Sequence, residues 1–425
     1  MKKIGFLLLI LTFTPVLPAN AYIDPATGGM LFSVFLGAVT TLFFLAQSLF
    51  FKLKLLFNKK ELCKETLPFI VYSEGKQYWR VFRPILDEFE KREIAVTFYT
   101  SAEDDPVFSR DYAFVKSRFI GKGNKAFFKL AFAKADVCLM TTPGLDVFQL
   151  KRSKSVAHYA HVLHSASDAT RYKLFGLDYF DSVFLNGDFQ VEQIRALERK
   201  RKLPEKELPV VGCTYLDDLR NSLRELPENP EKSNKFTVLV APTWGESSLL
   251  NKYGAELLDK IVNSGKNIII RPHPQSLAVE KGLIETLKRR YEGNSAVVWD
   301  FSPDNLPSLS ASNVMISDFS GVIFDYAFLF KKPFIFVNEK LNTEIYDISD
   351  CDVPLFALEK IKDLGIELTE NNFDKIGELV ENACNDASFA EKAEALQNLI
   401  WQHQGEAAKN IVDFLVEKQR EAHKC

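Results

Sequence analysis

Arg271-Pro272-His273-Pro274 places a permanent positive charge and a titratable ring in one short, stiff loop. The loop follows residues 267–270, an apolar β-branched run that predicts a strand. A guanidinium group matches the geometry of a phosphate, and an imidazole can hold or release a proton near neutral pH. Arg271 and His273 are therefore candidates to contact a phosphate; the alternative is a capping loop with a structural histidine.

A second candidate is the stretch Ser-Asp-Phe-Ser-Gly at 317–321, between a predicted strand and a predicted helix at 322–330. Backbone N–H groups point outward at a helix N-terminus, and the helix dipole favours negative charge there. An ordinary N-cap is the alternative, because Ser and Asp are standard caps. The candidate substrate-binding residues of this loop are Ser317, Asp318, Ser320 and Gly321.

Asp325 lies inside the apolar helix VIFDYAFLF and needs a partner if it is buried. It could form a structural ion pair with Lys331 or Lys332, or it could bind the hydroxyls of a ribose. The sequence leaves both alternatives open.

The loop 241–248, which follows a predicted strand at 236–240, also offers hydroxyls and a glycine at a strand mouth. Thr243 is the candidate substrate-binding residue there. A plain polar loop fits these residues equally well.

Three histidines, His158, His161 and His164, come from the segment VAHYAHVLHS. Side chains alternate between the faces of a strand, so His158 and His164 share one face and His161 has the other. The three do not make a clean metal-binding face, and His158 and His161 are predicted to be core or supporting residues. His164 comes last, beside Ser165 at the strand mouth, and is the candidate general base.

Asp350-Cys351-Asp352 matches the D-x-D pattern of metal-dependent sugar transferases, but so short a match is weak and a solvated loop is the preferred interpretation. The sequence lacks P-loop, nucleophile-elbow and zincin motifs. No cofactor and no metal ligand is predicted, and a requirement for a divalent metal is left open.

Apolar strands alternate with amphipathic helices across residues 66–224 and again across 236–370. This alternation predicts βαβ units, and two such halves predict an α/β, GT-B-like fold in which two Rossmann-like parallel-sheet halves face a cleft. The polar stretch 225–235 predicts a linker, and 371–425 predict C-terminal helices. The predicted strands are 69–72, 94–99, 136–140, 155–162, 182–185, 236–240, 267–270, 296–299, 313–316 and 333–337. The predicted helices include 77–92, 124–135, 189–202 and 322–330.

The composition is that of a globular protein: 425 residues, 47% hydrophobic, 26% charged and a net charge of -3. This near-neutral balance gives no footprint for non-specific nucleic-acid binding. Six scattered cysteines without a CxxC pair argue against a zinc site or a disulfide framework, and favour thiols in a reducing compartment.

The N-terminus departs from this average. Residues 1–21 combine Lys2 and Lys3, an apolar run and an A-x-A site, which predicts a signal peptide, or else a first membrane helix. Residues 22–60 predict an anchor, with a transmembrane helix at about 30–51 that is followed by lysines. The positive-inside rule then places the rest of the chain in the cytoplasm, as the catalytic part of a single-pass membrane protein.

These segments together resemble the CDP-glycerol glycerophosphotransferase (teichoic-acid primase and polymerase) family. The resemblance rests on Arg271–Pro274, on Ser317–Asp325 followed by Lys332-Pro333, and on Val211–Asp217. His164-Ser165, with 176–181 and Asn186-Gly187 behind it, is similar to the family's histidine motif. Two positions depart from the pattern: Leu163-His164-Ser165 replaces Trp-His-Gly, and Gly321 replaces a second serine.

The resemblance implies a donor, CDP-glycerol or a related CDP-alditol, and CMP as a product. It implies that His164 is the base acting on the acceptor hydroxyl and that His273 contacts the transferred phosphate. It also implies that the 317–321 loop holds the CDP portion. The expected function is a membrane-anchored transfer of glycerol phosphate to a lipid-linked or polymer acceptor. The alternatives are a glycosyltransferase that uses a nucleotide sugar, and an inactive membrane-tethered binding protein.

Overall fold

The computed structural model divides the chain into two units, residues 1–64 and 65–425. It describes residues 35–43, 45–46, 65–147, 149–225, 235–318, 320–337, 347–351 and 353–424. In the first unit, 35–43 and 45–46 are helical. The predicted signal peptide, half of the predicted membrane helix and most of the predicted linker lie outside these ranges. Within them, no helix has both the length and the apolar character that crossing a bilayer requires.

Residues 65–225 begin with a six-stranded parallel sheet of order β3-β2-β1-β4-β5-β6. Its strands are Leu67–Ser73 (β1), Val96–Thr100 (β2), Val115–Phe119 (β3), Ala135–Met140 (β4), Val156–Val162 (β5) and Ser182–Phe184 (β6). Every residue of β4 is buried, as expected for a parallel strand that is covered on both faces. The strand order reverses between β1 and β4, where Val71 is paired with Leu139.

The second half repeats this topology with the order β12-β11-β10-β7-β8-β9. Its strands are Thr237–Val240 (β7), Asn267–Ile270 (β8), Val297–Trp299 (β9), Val314–Ser317 (β10), Phe334–Val337 (β11) and Ile366–Leu368 (β12). The strand order reverses between β7 and β10, where Leu239 is paired with Met315. Ligands of doubly wound sheets bind at the carboxyl ends of the strands beside such a reversal, so each half offers one crevice.

The described part of the body contains fourteen α-helices, numbered here in chain order. They are Trp79–Lys91 (α1), Asn124–Ala131 (α2), Phe189–Arg201 (α3), Thr214–Glu225 (α4), Leu249–Lys252 (α5), Gly254–Asn263 (α6), Ser276–Val279 (α7), Lys281–Arg290 (α8), Leu306–Ala311 (α9), Val322–Phe330 (α10), Phe356–Leu364 (α11), Ile376–Cys384 (α12), Phe389–Ile400 (α13) and Ala407–Ala422 (α14).

The C-terminal helices do not form a separate layer. Helix α12 packs in the core of the second half, where Ile376 and Val380 are buried beside β8 and β10 residues. Helix α14 returns to the first half, where Ile411 and Leu415 pack with apolar residues of α1 and β4. The chain therefore ends on the half with which the body begins.

All ten strands predicted from the sequence form, but two further strands, β3 and β12, were missed. Both are edge strands of their sheets. Only Val115 is buried in β3, and only Leu368 is buried in β12. An edge strand with so little buried surface has too few apolar residues to give a clear periodic signal.

The strand mouths of the two halves adjoin. Ala166, two residues past His164, belongs to the same buried apolar cluster as Ala241 and Ile323. Ala241 directly follows β7, and Ile323 lies in the first turn of α10. Asp168 of the first half also accepts the backbone N–H groups of Ala357 and Leu358 at 3.0 and 3.2 Å, which caps helix α11 of the second half.

Candidate functional site

The crevice of the second half is held together by Asp318. Its carboxylate accepts the backbone N–H of Thr243 at 3.0 and 3.1 Å and that of Leu249 at 3.0 Å. Ser317 donates its hydroxyl to the carbonyl of Ala241 at 2.6 Å. Both side chains are buried, so they fix the loop after β7 rather than projecting into open space. Burial raises the pKa of Asp318, although these N–H groups oppose the shift.

The start of α10 is more open. Ser320 and Gly321 are partly exposed. A Cβ atom added at Gly321 would meet no heavy atom within 4 Å, so there is room for a ligand directly in front of the helix. The nine residues of α10 supply the dipole that favours an anion at this position.

The guanidinium group of Arg271 binds other groups of the protein. Its guanidinium binds the carboxylate of Asp300 at 2.5 Å and donates to the carbonyl of Ser302 at 2.8 Å. Burial works against ionisation of Asp300, but hydrogen bonds from Ser302, Ser308 and Arg271 outweigh it and lower the pKa of Asp300 to about 2. Arg271 therefore fixes the loop that carries His273.

His273 is set up as a hydrogen-bond donor. Its Nδ1 accepts the backbone N–H of Gln275 at 3.1 Å, so the neutral ring carries its proton on Nε2. Burial lowers the pKa of His273, while Glu280 acts in the opposite direction. The ring of Trp244, which is 44% exposed, lies 6.5 Å from the histidine ring.

In the first half, His164 is held between two tyrosines. Its Nδ1 lies 2.7 Å from the hydroxyl of Tyr172, which also accepts the backbone N–H of His164 at 3.3 Å. The rings of Tyr78 and Tyr172 make edge contacts with the imidazole at 5.6 and 5.4 Å. Burial lowers the pKa of His164 to about 4, so the ring is neutral at pH 7, as a general base must be.

Glu74 was not recognised from the sequence. It directly follows β1, at the strand reversal, and its side chain is exposed. Surrounding protein nevertheless raises the pKa of Glu74, and the nearby Thr142, just past the end of β4, opposes the shift. Because β4 separates β1 from β5, two strand spacings put Glu74 about 10 Å from His164. Its position just after the first strand is the signal that could have identified it.

His158 and His161 are supporting residues. His161 is completely buried between the rings of Tyr172 and Phe180, at 5.1 and 4.8 Å. Burial lowers the pKa of His161 to about 3, with a smaller contribution from His164. His158 bonds the hydroxyl of Ser182 at 2.9 Å.

Asp325 has different partners from the lysines considered above. It accepts the hydroxyl of Tyr215 at 2.8 Å and the amide of Asn305 at 3.5 Å, and burial raises the pKa of Asp325 to about 7. Lys332 donates instead to the backbone carbonyls of Ser310 and Ser312, at the end of α9 and just after it. Asp325 thus joins α4 to the second half, and its predicted contact with a ribose stays untested.

The interpretation of Asp350 as a solvated loop residue is wrong. Asp350 lies in a 3-10 turn and binds Arg201 at 2.7 Å, together with Asp347 at 2.9 Å and Asp178 at 2.6 Å. Asp352 lies outside the described residues. Asp350, whose side chain is 33% exposed, therefore belongs to a charge cluster around the buried Arg201, and this cluster ties the second half to α3.

Asp217, at the end of the segment 211–217 that resembles the family, also has a structural role. Its carboxylate accepts the indole N–H of Trp401 at 3.1 Å and the backbone N–H of Gly405 at 2.6 Å. It therefore anchors the chain between α13 and α14. Within the described ranges, no three His, Cys, Asp or Glu side chains gather as a metal site would need.

Two Rossmann-like halves whose strand mouths adjoin define a GT-B-like fold, and solved structures share it. The UDP-GlcNAc 2-epimerase from Methanocaldococcus jannaschii is 16% identical, with 83% of this chain and 100% of that chain covered and a TM-score of 0.54. A putative UDP-N-acetylglucosamine 2-epimerase from Listeria monocytogenes is 12% identical, with 84% and 98% covered and a TM-score of 0.55. Anabaena Alr3699/HepE, in complex with UDP and glucose, is 12% identical, with 82% and 99% covered and a TM-score of 0.51. At these identities the likeness establishes the fold alone.

Residues 196–417, just over half of the chain, match the family described as CDP-Glycerol:Poly(glycerophosphate) glycerophosphotransferase. The chain belongs to this family, as its motifs predicted, and is a transferase of the nucleotide-linked kind. The match includes the 271–274 loop and the 317–321 loop but not His164. No curated protein matches the chain significantly.

Proposed function

We propose that the protein transfers a glycerol-phosphate or related alditol-phosphate unit from a CDP-activated donor to a hydroxyl of a lipid-linked or cell-envelope polymer acceptor, and releases CMP. The observation that carries this proposal is the pairing of two strand mouths. One has an open helix start and a histidine that donates from Nε2, and the other has a neutral imidazole between two tyrosines.

In this reaction the acceptor oxygen forms a bond to the phosphorus that bears the glycerol. The bond from that phosphorus to the bridging oxygen breaks, and CMP leaves with the electron pair. His164 takes the acceptor proton on Nε2, which requires that its Nδ1–H donates to Tyr172. Transfer of this kind depends on positioning and charge stabilisation more than on covalent help.

The donor occupies the second half. The N-terminus of α10, beside Ser320 and Gly321, faces the diphosphate, and His273 donates Nε2–H to an oxygen of the transferred phosphate. Ser317, Asp318 and Arg271 hold the two loops in place. Thr243 lies on the loop that Asp318 fixes.

The acceptor occupies the first half, over the end of β4. A carboxylate binds hydroxyl groups and repels a second phosphate, so Glu74 suits a neutral polyol or sugar end of the acceptor. His164 lies on the other side of β4. A hydroxylated unit that spans about 10 Å, or two strand spacings, would reach both residues.

The test is CMP release from CDP-glycerol by detergent-solubilised protein supplied with a lipid-linked acceptor. We expect turnover in the wild type and a loss of at least about a hundredfold in kcat for His164→Asn and for His273→Asn. His403→Asn, on an exposed loop outside the cleft, is the matched control and keeps full activity. No CMP release by the wild type from any CDP-alditol would overturn the proposal.

A nucleotide sugar is the second candidate donor. Structures of the same fold include the Methanocaldococcus jannaschii enzyme in complex with UDP-GlcNAc and UDP. Release of UDP from UDP-sugars, with none of CMP from CDP-alditols, would favour glycosyl transfer. Nucleotide binding without turnover of either donor would indicate a binding protein.

We also propose that residues 30–51 anchor the protein in the plasma membrane with the catalytic body in the cytoplasm. The support is the charge-free run and the lysines that follow it. Protease added to intact spheroplasts should leave the body uncut, and protease added to inverted vesicles should digest it. The opposite pattern would reverse the orientation.

A further inference from the structure

Trp244 is an exposed ring beside the crevice of the second half. It lies on the loop after β7 that Asp318 fixes, and 44% of the residue is exposed. Single exposed apolar side chains are common on proteins, so exposure alone would say little. Trp244 differs from them because it stands at a strand mouth, next to the ring of His273.

The backbone after Trp244 is held in place by Glu280, which lies between α7 and α8. The Glu280 carboxylate accepts the backbone N–H of Gly245 at 2.8 Å and the side-chain amide of Asn251 at 2.5 Å. Asn251 also donates to the carbonyl of Gly245 at 3.0 Å. Since Asp318 fixes the residue before the ring, the loop presents an exposed indole from a backbone that is already ordered. A ligand that binds this ring has little ordering left to oppose it.

The indole of Trp244 also has unused bonding capacity. Among the described residues, no group accepts its Nε1–H. Its ring contact is with His273, at a centroid distance of 6.5 Å and a tilt of 33°. This distance is near the upper limit for packed aromatic pairs, so much of the ring stays uncovered. What remains is a flat apolar surface with one hydrogen-bond donor at its edge.

We propose that Trp244 binds the alditol of the donor and that Glu280 positions Trp244. The C–H bonds of a polyol carry a small positive charge and pack on the negative face of an aromatic ring, while its hydroxyl oxygens accept the indole N–H. This inference rests on the proposed function and adds the residue that recognises the transferred unit.

The connectivity of the donor favours the alditol over the nucleobase as the occupant of this surface. In the proposed reaction His273 donates to an oxygen of the transferred phosphate. The alditol is bonded directly to that phosphate, whereas the cytosine is separated from it by a second phosphate and a ribose. A ring 6.5 Å from the imidazole is therefore placed for the alditol carbons.

The experiment measures binding and turnover with the detergent-solubilised full-length protein. Isothermal titration calorimetry without acceptor gives the Kd for CDP-glycerol and for CDP, and CMP release with acceptor gives kcat and KM. For Trp244→Ala we expect about tenfold weaker binding of CDP-glycerol and an unchanged Kd for CDP. The KM for CDP-glycerol should rise by the same factor at constant kcat, because the contact is present both before and during transfer.

Two further variants bracket this effect. Trp244→Phe keeps a ring face but loses the N–H donor, so its Kd for CDP-glycerol should fall between those of the wild type and Trp244→Ala. Phe108→Ala, at a residue of the first half that is also 44% exposed, is the matched control and should bind both ligands as the wild type does. Because these side chains lie at the surface, all three variants should unfold at the temperature of the wild type.

The positioning role of Glu280 has its own readout. Glu280→Ala removes the acceptor of the Gly245 N–H, so it should weaken binding of CDP-glycerol more than binding of CDP. Glu280→Gln keeps an acceptor oxygen and should restore most of the affinity. A merely structural defect would weaken binding of both ligands alike.

Equal loss of affinity for CDP and CDP-glycerol in Trp244→Ala would assign the ring to the nucleotide and overturn the proposal, and so would wild-type affinity for both. Failure of the transfer reaction has a different signature, since the wild type itself would then release no CMP from any CDP-alditol, and that result removes both proposals. A wild type that turns over CDP-glycerol, beside a Trp244→Ala protein with the same KM, would refute the role of Trp244 alone.

Discussion

At the scale of single residues, the surroundings of each histidine decide what it can do. His161 and His164 are three residues apart in the same segment, yet one is sealed between rings and the other opens on a strand mouth. Because side chains alternate along a strand, the sequence already predicts that the two histidines lie on opposite faces. Only the packed structure shows that Tyr172 contacts both, by its ring on one side and its hydroxyl on the other.

Tyr172→Phe tests whether the hydroxyl orients His164. We expect kcat to fall about tenfold to a hundredfold, because the imidazole loses the partner that fixes its tautomer, while the KM for the donor stays the same. The acid limb of the pH–kcat profile should also move, which a purely structural defect would not cause. Tyr179→Phe, at a residue 47% exposed, is the control, and equal activity of the two variants would contradict the role.

His161 should make the fold sensitive to acid. The pKa of His161 falls from 6.5 to about 3 on burial, so the unfolded chain binds the extra proton first and stability is lost as pH drops below about 6.5. At pH 5 this amounts to about 2 kcal/mol. His161→Phe should therefore lose less of its free energy of unfolding between pH 7 and pH 5 than the wild type. Urea denaturation at both pH values measures this, and parallel losses would refute it.

Sequence motifs identified residue types correctly but not how each side chain is used. Arg271, Ser317 and Asp318 all stand where phosphate ligands were predicted, yet each is engaged by a neighbouring loop. Such partners lie from about thirty to more than seventy positions away in the chain, so local spacing carries no information about them. Glu74 escaped notice for the converse reason, because one acid after a strand forms no motif.

At the scale of elements, Asp318 couples two strands across the reversal point. Asp318→Ala would leave the N–H groups of Thr243 and Leu249 without their acceptor, and we expect it to reduce the free energy of unfolding by about 2–3 kcal/mol. Asp318→Asn keeps one acceptor oxygen and should lose less. Urea denaturation measures both, with Asp363→Asn at an exposed site as the control. A loss no larger than the control's would show that the loop does not depend on Asp318.

Alternating apolar strands and amphipathic helices were enough to predict ten strands and the halves they belong to. A strand buried on both faces must be apolar throughout, and this leaves a strong signal. The edge strand β3 buries one residue in five, so its sequence carries almost no such signal. The order of the strands also cannot be predicted from local sequence, because hydrogen bonding between β1 and β4 joins segments more than sixty residues apart.

At the scale of the whole molecule, α14 closes the first half with residues from the end of the chain. Its apolar side covers α1 and β4, and His423 binds Asp136 at 2.9 Å. Deleting residues 406–425 should expose this core, so we expect the protein to lose cooperative thermal unfolding or to aggregate. Deleting only residues 424–425 is the control. A shortened protein that unfolds as cooperatively as the control would show that the first half is complete without α14.

The sequence by itself determined the α/β class, the two halves, the family and the positions of the histidines, because these follow from local periodicity and from short motifs. The tertiary structure decided which polar residues remain available. It assigned Arg271, Asp318 and Asp325 to internal bonds and left Gly321 and Glu74 open. The physical reason is that a buried charge must find a partner, and the nearest one in space is chosen by packing rather than by chain order.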